Sequence, residues 1–168
     1  RLPEDEWQAL TLSYTSGTSG RPKGVVYHHR GSYLMSFGTV AAWQLGQHPT
    51  YLYTVPMFHC NGWGHAWTMA LMAAKIVLTR NITAEEIFQL IDSHTVTHFG
   101  GAPIVLGMLV NAPDEQRPDL SNRKVRAMTA GAPPPASILE KLSAMGFEVM
   151  QVYGLTETYG HVTHCLLY

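Results

Sequence analysis

Residues 13–24 read Ser-Tyr-Thr-Ser-Gly-Thr-Ser-Gly-Arg-Pro-Lys-Gly, and we call this stretch the phosphate loop. Gly17 and Gly20 allow backbone conformations in which several N–H groups face one concave side, where they can bind an anion. Lys23 adds a mobile positive charge suited to phosphate, and Pro22 stiffens the turn before it. Further hydroxyl donors are Thr15, Ser16, Thr18 and Ser19. We therefore expect this stretch to bind a polyphosphate.

Two other interpretations of the phosphate loop fit less well. A Walker P-loop needs Gly, four residues and then Gly-Lys-Ser/Thr, whereas Lys23 follows a proline and precedes a glycine. A flexible surface loop would also be rich in Gly, Ser and Thr, but it would not match a specific pattern. The stretch resembles the signature Y-T-S-G-T-T-G-x-P-K-G of the adenylate-forming superfamily, which includes acyl-CoA synthetases, luciferases and peptide-synthetase adenylation domains. The single departure is Ser19 in place of threonine, which keeps the hydroxyl.

The composition limits the classes of protein that the chain can represent. Its 168 residues fit one domain or a piece of a larger one, and 46% hydrophobic with 14% charged residues indicates extensive burial. A net charge of −1 gives no electrostatic basis for binding nucleic acid or an anionic membrane. No apolar run is long enough for a transmembrane helix, and the acidic N-terminus lacks the apolar region of a signal peptide. Cys60 and Cys165 cannot form a disulfide framework, which favours a cytoplasmic location.

Apolar patterns and turn residues predict alternating strands and helices. The predicted strands are 9–14, 24–28, 51–55, 75–79, 96–99, 125–129 and 148–152, with a further apolar stretch at 162–167. The predicted helices are 30–43, 62–74, 83–93 after a capping box of Thr83 and Glu86, a helix after the 100–103 turn to about 110, and 136–145. Residues 111–122 are polar and predict an exposed loop. This alternation predicts an α/β fold with a mainly parallel sheet flanked by helices, and ligands collect at the carboxyl ends of such strands.

Residues 151–157, Gln-Val-Tyr-Gly-Leu-Thr-Glu, form the second informative motif. Tyr153 can stack on a flat heterocycle, Gly154 lets a ligand approach, Thr156 can donate to a phosphate oxygen, and Glu157 can bind Mg²⁺. An ordinary strand-turn-helix junction, with Glu157 as a helix-start carboxylate, is the alternative. The motif resembles the superfamily's Y-G-x-T-E motif and is close to its form in fatty acyl-CoA synthetases.

Two shorter segments complete the pattern. Residues 129–134, Thr-Ala-Gly-Ala-Pro-Pro, form a strand-to-helix turn that resembles the family's Gly-x-Pro turn along adenine and the acyl pocket. Residues 56–63, Pro-Met-Phe-His-Cys-Asn-Gly-Trp, resemble the family's P-M-F-H motif. In that motif the histidine faces the reacting carboxylate, and a tryptophan at the position of Trp63 gates the acyl tunnel in the fatty acyl branch. A core-facing aromatic cluster with a hydrogen-bonded histidine is the alternative.

The histidines raise the question of a zinc site. One group comprises His59, Cys60 and His65, and a second comprises His161, His164 and Cys165. Their spacings match no common zinc pattern, so we expect no zinc site. We expect His28 and His29 to be packing or loop residues.

The resemblance implies that ATP·Mg²⁺ and a small-molecule carboxylic acid bind together and form an acyl-adenylate, from which coenzyme A displaces AMP. The catalytic residues would be Lys23, His59, Thr156 and Glu157. Lys23 and the phosphate loop would hold the β- and γ-phosphates, Thr156 the α-phosphate, and Glu157 with Thr15 the Mg²⁺ ion. The acyl group and its carboxylate would contact His59, Trp63 and Gly131. The expected nucleotide-binding residues are Thr15, Ser16, Gly17, Thr18, Ser19, Gly20, Lys23, Gly131, Ala132, Pro133, Gln151, Val152, Tyr153, Gly154 and Thr156.

The resemblance extends from about residue 10 to the end. It implies that residues 1–168 are part of the AMP-binding (adenylation) domain, within the large N-terminal domain of an acyl-CoA ligase. The family's ribose-binding aspartate and its small C-terminal domain with the adenylation lysine are not found, so we expect the isolated chain to be inactive. Trp63, Met57 and Phe58 make the expected pocket mouth apolar, which favours a short- to medium-chain or otherwise apolar monocarboxylic acid, including methylmercaptopropionate-like thioether acids. A stand-alone nucleotide-binding or regulatory domain without catalysis is the alternative function. The oligomeric state stays open, with a homodimer of the full-length protein as one option.

Overall fold

The computed structural model describes residues 2–16 and 20–167, with side chains described to residue 165. Strands β1 (Ala9–Thr15) and β2 (Lys23–His28) flank the phosphate loop, as predicted. They pair antiparallel in a small sheet of their own, in which Thr15 lies opposite Lys23. The predicted phosphate contacts of Gly17, Thr18 and Ser19 lie outside the described residues. The pairing of β1 and β2 brings the two ends of the loop together.

The main sheet has six strands in the order β4-β3-β5-β6-β7-β8. The strands are β3 (Thr50–Tyr53), β4 (Lys75–Leu78), β5 (His98–Gly100), β6 (Val125–Thr129), β7 (Phe147–Leu155) and β8 (Gly160–Leu167). The first five of these pair in parallel, and β8 pairs antiparallel with β7. The predicted α/β class with a mainly parallel sheet is therefore confirmed.

Helices cover both faces of the main sheet. The helices are α1 (His29–Trp43), α2 (Cys60–Trp63), α3 (His65–Leu71), α4 (Ala84–Ser93), α5 (Pro103–Val110) and α6 (Ala136–Ala144). Because successive strand side chains point to opposite faces, Leu52 belongs to the core cluster that contains α4, α5 and α6 residues. Tyr51 and Tyr53 belong to the other cluster, which contains Trp43 of α1 and Met69 of α3.

The predicted helix 62–74 is wrong at its start. Residues 60–64 all have positive φ, from 44° at Cys60 to 70° at Gly64, so the segment winds left-handed before α3 begins at His65. Glycines at 62 and 64 tolerate this conformation. The Tyr53 hydroxyl donates to the Gly62 carbonyl at 3.0 Å and so holds the turn against the sheet.

Other differences are smaller. Strand β7 runs to Leu155 rather than 152, because β8 pairs with it through the Tyr-Gly-Leu residues. The short strand β5 begins two residues later than predicted. Thr83 caps α4 by accepting from the Glu86 amide at 3.2 Å, as predicted, although the Glu86 carboxylate accepts from Thr79. The 111–122 loop is not wholly exposed, since Ala112 and Leu120 join the core.

Candidate active site

A cavity of about 1140 Å³ opens at the carboxyl ends of the parallel strands. This is where an α/β sheet of this type binds ligands. Ten of the sequence-predicted site residues line it, namely Thr15, Ser16, Lys23, His59, Trp63, Gly131, Val152, Gly154, Thr156 and Glu157. These residues come from the phosphate loop and from the three other motifs. The cavity therefore brings together segments that are far apart in sequence.

One part of the cavity lining, which we call the polar end, consists of hydroxyl and charged side chains. Thr15, Ser16 and Lys23 reach it from the phosphate loop, and Thr156 with Glu157 reach it from the turn between β7 and β8. Hydroxyl and carboxylate oxygens are the ligands that Mg²⁺ prefers, so Thr15 and Glu157 fit the predicted metal contact. Lys23 adds a cationic donor suited to phosphate oxygens.

Two tyrosines fix the polar end in place. The Tyr27 hydroxyl of β2 donates to the Thr156 carbonyl at 2.6 Å, across 129 residues of sequence. The Tyr159 ring stacks on Tyr27 with centroids 4.4 Å apart, and the Tyr159 oxygen accepts from the His28 amide at 3.1 Å. Burial, with Cys60, Tyr159 and Glu157 nearby, raises the pKa of Tyr27 well above its ordinary value, so its phenol stays protonated and donates. These contacts hold the phosphate-loop hairpin against the 151–157 motif.

The left-handed turn at 60–64 joins a third motif to the same place. The Cys60 sulfur lies 3.0 Å from the Thr156 hydroxyl. The Asn61 side chain accepts from the hydroxyls of Thr11 and Ser13 on β1, the latter at 3.1 Å. The positive φ of these residues orients both side chains toward the other motifs, while His59 lies just before the turn and lines the cavity.

The remaining side chains of the lining are mostly apolar, and we call this part of the cavity the acyl end. Its side chains are Val55, Trp63, Ile82, Ala102, Val105, Met128 and Ala130. Gly131 also lines the cavity. Its φ is +99°, and the position where a Cβ would stand is open, with no atom outside its chain neighbours within 4 Å. Met57 and Phe58, predicted to form the pocket mouth, do not line the cavity, and Phe58 is 83% exposed.

Two histidines also line the cavity without having been predicted as site residues, His65 and His161. His65 is buried, and its Nδ1 lies 2.6 Å from the Tyr51 hydroxyl. Burial, together with His161 and His98, lowers the pKa of His65 to about 3. From the sequence, we considered both histidines only as candidate zinc ligands. Within the described residues, no group of three or more His, Cys, Asp or Glu side chains is placed to hold a metal ion.

Some predicted contacts are not brought into the cavity. The predicted site residues that the structure describes outside the cavity lining are Gly20, Ala132, Pro133, Gln151 and Tyr153. Tyr153 is 61% exposed, so its stacking on adenine stays a prediction. Gly154 does line the cavity. Besides the ligand approach that we predicted, a glycine is needed here because a Cβ would lie 1.9 Å from the Gly160 carbonyl oxygen. The backbone of β8 therefore needs this glycine whether or not a ligand is bound.

His28 has a structural role, in agreement with the expectation that it is a packing or loop residue. The His28 Nδ1 accepts from the Gly31 amide at 3.0 Å and so caps α1, while its ring packs against Trp7. His29 is the first residue of α1. In the part of the chain that the structure describes, no helix is long and apolar enough to cross a membrane.

Comparison with known proteins gives consistent matches over the whole chain. The AMP-binding enzyme family matches residues 1–167. The chain is 48% identical to an acetate–CoA ligase of Humulus lupulus, over 97% of this chain and 29% of that protein. It is 47% identical to an acetate/butyrate–CoA ligase of Arabidopsis thaliana that is named as peroxisomal, with the same coverage. The chain thus spans less than a third of the length of these curated relatives.

Solved structures agree with these matches. The fold superposes on the O-succinylbenzoate coenzyme A synthetase of Bacillus subtilis, solved in complex with ATP and magnesium ion, with a TM-score of 0.82 and 25% identity. That match covers 96% of this chain and 33% of that one. The inhibitor-bound N-terminal domain of FACL13 from Mycobacterium tuberculosis gives a TM-score of 0.90 and 27% identity, over 99% of this chain and 42% of that one. The neighbours include an N-terminal domain, in agreement with the predicted placement in the larger N-terminal domain.

Proposed function

Because the chain belongs to the AMP-binding enzyme family, we propose that its full-length protein activates a carboxylic acid with ATP and transfers the acyl group to coenzyme A. The observation that carries this proposal is that Lys23, Thr156 and Glu157 line the same cavity as a set of apolar side chains. A nucleoside triphosphate requires the charged and hydroxyl side chains, and an acyl chain requires the apolar ones. The acetate–CoA and acetate/butyrate–CoA ligases among the relatives have names that fit this reaction.

The first half-reaction is adenylation. The carboxylate oxygen attacks the α-phosphorus of ATP, the bond from this phosphorus to the bridging oxygen breaks, and pyrophosphate leaves with its negative charge. Lys23 and the phosphate loop stabilise the β- and γ-phosphates, and Thr156 donates to the α-phosphate. Thr15 and Glu157 would hold the Mg²⁺ ion, which supplies charge neutralisation when it is bound. The protein acts mainly by positioning the reactants and by stabilising charge.

The second half-reaction is thioester formation. The coenzyme A thiol, after losing its proton, attacks the acyl carbonyl carbon and displaces AMP. His59 lines the cavity and would contact the substrate carboxylate before the thiol arrives. Trp63, on the wall of the acyl end, would border the acyl tunnel.

The acyl end also limits the substrate. Among the described residues that line the cavity, the acidic and basic side chains other than histidine are Glu157 and Lys23, and both belong to the polar end. A second carboxylate or an ammonium group would therefore be buried at the acyl end without a charged partner, which is costly. We propose an uncharged acyl chain of short to medium length, and amino acids and dicarboxylic acids are disfavoured.

A substrate panel tests the proposal on the full-length protein. Thioester and AMP are measured after incubation with ATP, Mg²⁺, coenzyme A and each acid, in a series that contains monocarboxylic acids, dicarboxylic acids and amino acids. We expect AMP and thioester in equal amounts, with the highest kcat/KM for a monocarboxylic acid. ATP binding without turnover of any acid would instead support a nucleotide-binding domain that performs no chemistry.

A further inference from the structure

The acyl end contains a buried polar side chain, His65, that the proposed reaction does not use. His65 is the first residue of α3, is 1% exposed and lines the cavity. Its ring lies 5.9 Å from that of Trp63, measured between centroids. Its Cε1 and the Val55 side chain lie on the same side of Gly100, where a Cβ added to this glycine would be 3.3 Å from Cε1 and 3.0 Å from Val55. These neighbours place the ring beside Trp63 and Val55, two apolar side chains of the acyl end.

The hydrogen-bond partner of His65 determines which nitrogen carries the proton. Burial lowers the pKa of His65 to about 3, so the ring is neutral near pH 7. Burial also raises the pKa of Tyr51 well above its ordinary value, so its phenol keeps the proton. Among the described residues, Nδ1 of His65 is the one acceptor within reach of this buried hydroxyl, so the Tyr51 O–H, 2.6 Å away, donates to it. A neutral imidazole whose Nδ1 accepts carries its hydrogen on Nε2.

This Nε2–H group has no hydrogen-bond partner within the described residues, where the single hydrogen bond of the His65 side chain is to Tyr51. Buried donors in folded proteins are almost always paired with protein, water or ligand. The Nε2 of His98 is unpaired and closed off from solvent, and His98 does not line the cavity, whereas Nε2 of His65 is not among the closed-off unpaired atoms of the described residues. The ring of His65 does line the cavity, so a bound molecule can supply the missing acceptor.

Building on the proposed function, we propose that His65 determines specificity by donating from Nε2 to an uncharged oxygen on the acyl chain. The preferred acids would then carry a hydroxyl, ether or carbonyl oxygen beyond the carboxylate. A charged acceptor is disfavoured because the acyl end has no cation to pair with it. A pure hydrocarbon chain would leave a buried donor unpaired, which costs transition-state stabilisation relative to an acid that supplies the acceptor.

Matched acids provide the test on the full-length enzyme. Each pair replaces one methylene by an ether oxygen: butyrate with methoxyacetate, pentanoate with 3-methoxypropionate, and hexanoate with 4-methoxybutyrate. The ratio of kcat/KM within each pair is measured for wild type, His65→Leu and His65→Gln. Leucine removes the donor, whereas glutamine can keep an N–H near the position of Nε2. We expect at least one pair in which wild type favours the ether acid about tenfold or more, His65→Leu favours the hydrocarbon acid, and His65→Gln keeps the wild-type order.

The outcomes separate this inference from the proposed function. If wild type forms no thioester with any acid, the proposed function fails. If wild type and His65→Leu both form thioesters with the same ratio in every pair, the specificity role of His65 is overturned. Should His65→Leu not fold, Tyr51→Phe serves instead, because it removes the phenol that fixes the proton on Nε2. A reduced ether preference in Tyr51→Phe would support the inference, and an unchanged preference would overturn it.

Discussion

Gly154 offers a quantitative test of how the site is assembled. Alanine there would place its Cβ 1.9 Å from the Gly160 carbonyl oxygen, 2.6 Å from the Gly160 carbonyl carbon and 2.7 Å from the His161 Cα. Ordinary contacts at such positions begin near 3.4 Å, so the overlap with the oxygen is 3.4 − 1.9 = 1.5 Å. All three atoms are backbone atoms of β8, which is paired with β7 around this residue. Relief of the overlap therefore requires that the two strands separate locally.

We expect Gly154→Ala to lower the free energy of unfolding by roughly 3 kcal/mol, the upper end of the usual range for overpacking. Activity should fall further than stability explains, because Thr156 and Glu157 follow directly on the displaced strand. A displacement of the order of 1 Å at a reacting group can reduce the rate about 10²-fold. The measurements are the midpoint of thermal unfolding and the rate of acid-dependent ATP–pyrophosphate exchange, both in the full-length protein.

Gly107→Ala is the matched control. Gly107 lies within α5, and no atom stands within 4 Å of its added Cβ. Alanine is favoured over glycine in a helix by about 1 kcal/mol, so this variant should be as stable as wild type or more stable. If Gly154→Ala matched wild type in both the unfolding midpoint and the exchange rate, the pairing of β7 with β8 would not position the 151–157 motif as described.

Two further predictions concern buried hydrogen bonding and buried charge. Tyr27→Phe removes the donor to the Thr156 carbonyl and should lower the free energy of unfolding by about 1–3 kcal/mol. The control Tyr33→Phe, on the exposed side of α1, should change this free energy little. Equal unfolding midpoints for the two variants would contradict a stabilising role of the bond from Tyr27 to Thr156. Burial, with Arg126 nearby, lowers the pKa of His98 to about 4, so the unfolded chain, with a histidine pKa near 6.5, binds the proton more tightly. Stability should therefore fall as the pH drops from about 6.5 toward 4, by up to about 1.4 kcal/mol per pH unit from this histidine. Unfolding curves across this range should be less steep in pH for His98→Phe, and an unchanged pH dependence would contradict the burial of a neutral His98.

The sheet and most of the segments that line the cavity could be predicted because their signals are local. Alternating apolar runs predict the strands, and the glycines, hydroxyls and lysine of the phosphate loop have a chemical meaning at fixed spacing. The site contacts of Cys60 and His65 could not be predicted in this way. Both depend on the left-handed turn at 60–64, which is set by long-range bonds such as that from Tyr53 to Gly62.

The reason for Gly154 could not be predicted from sequence either. A glycine before Leu-Thr-Glu is consistent with ligand approach, and only the pairing of β7 with β8 shows that the Gly160 carbonyl needs the space. The predicted strand ends at residue 152, before the Tyr-Gly-Leu residues. The partner strand decided otherwise, since backbone hydrogen bonding to β8 extends β7 to Leu155.

Acid-dependent ATP–pyrophosphate exchange by the full-length protein is the most direct test of the proposed chemistry. Wild type should exchange label with a suitable monocarboxylic acid, and Lys23→Ala and Glu157→Gln should each lower the rate at least about tenfold through lost charge neutralisation. Lys141→Ala and Glu140→Gln, which alter exposed residues of α6, should exchange at the wild-type rate. Exchange at wild-type rate in both Lys23→Ala and Glu157→Gln, or no exchange by wild type with any acid, would contradict the proposal that this cavity forms acyl-adenylates.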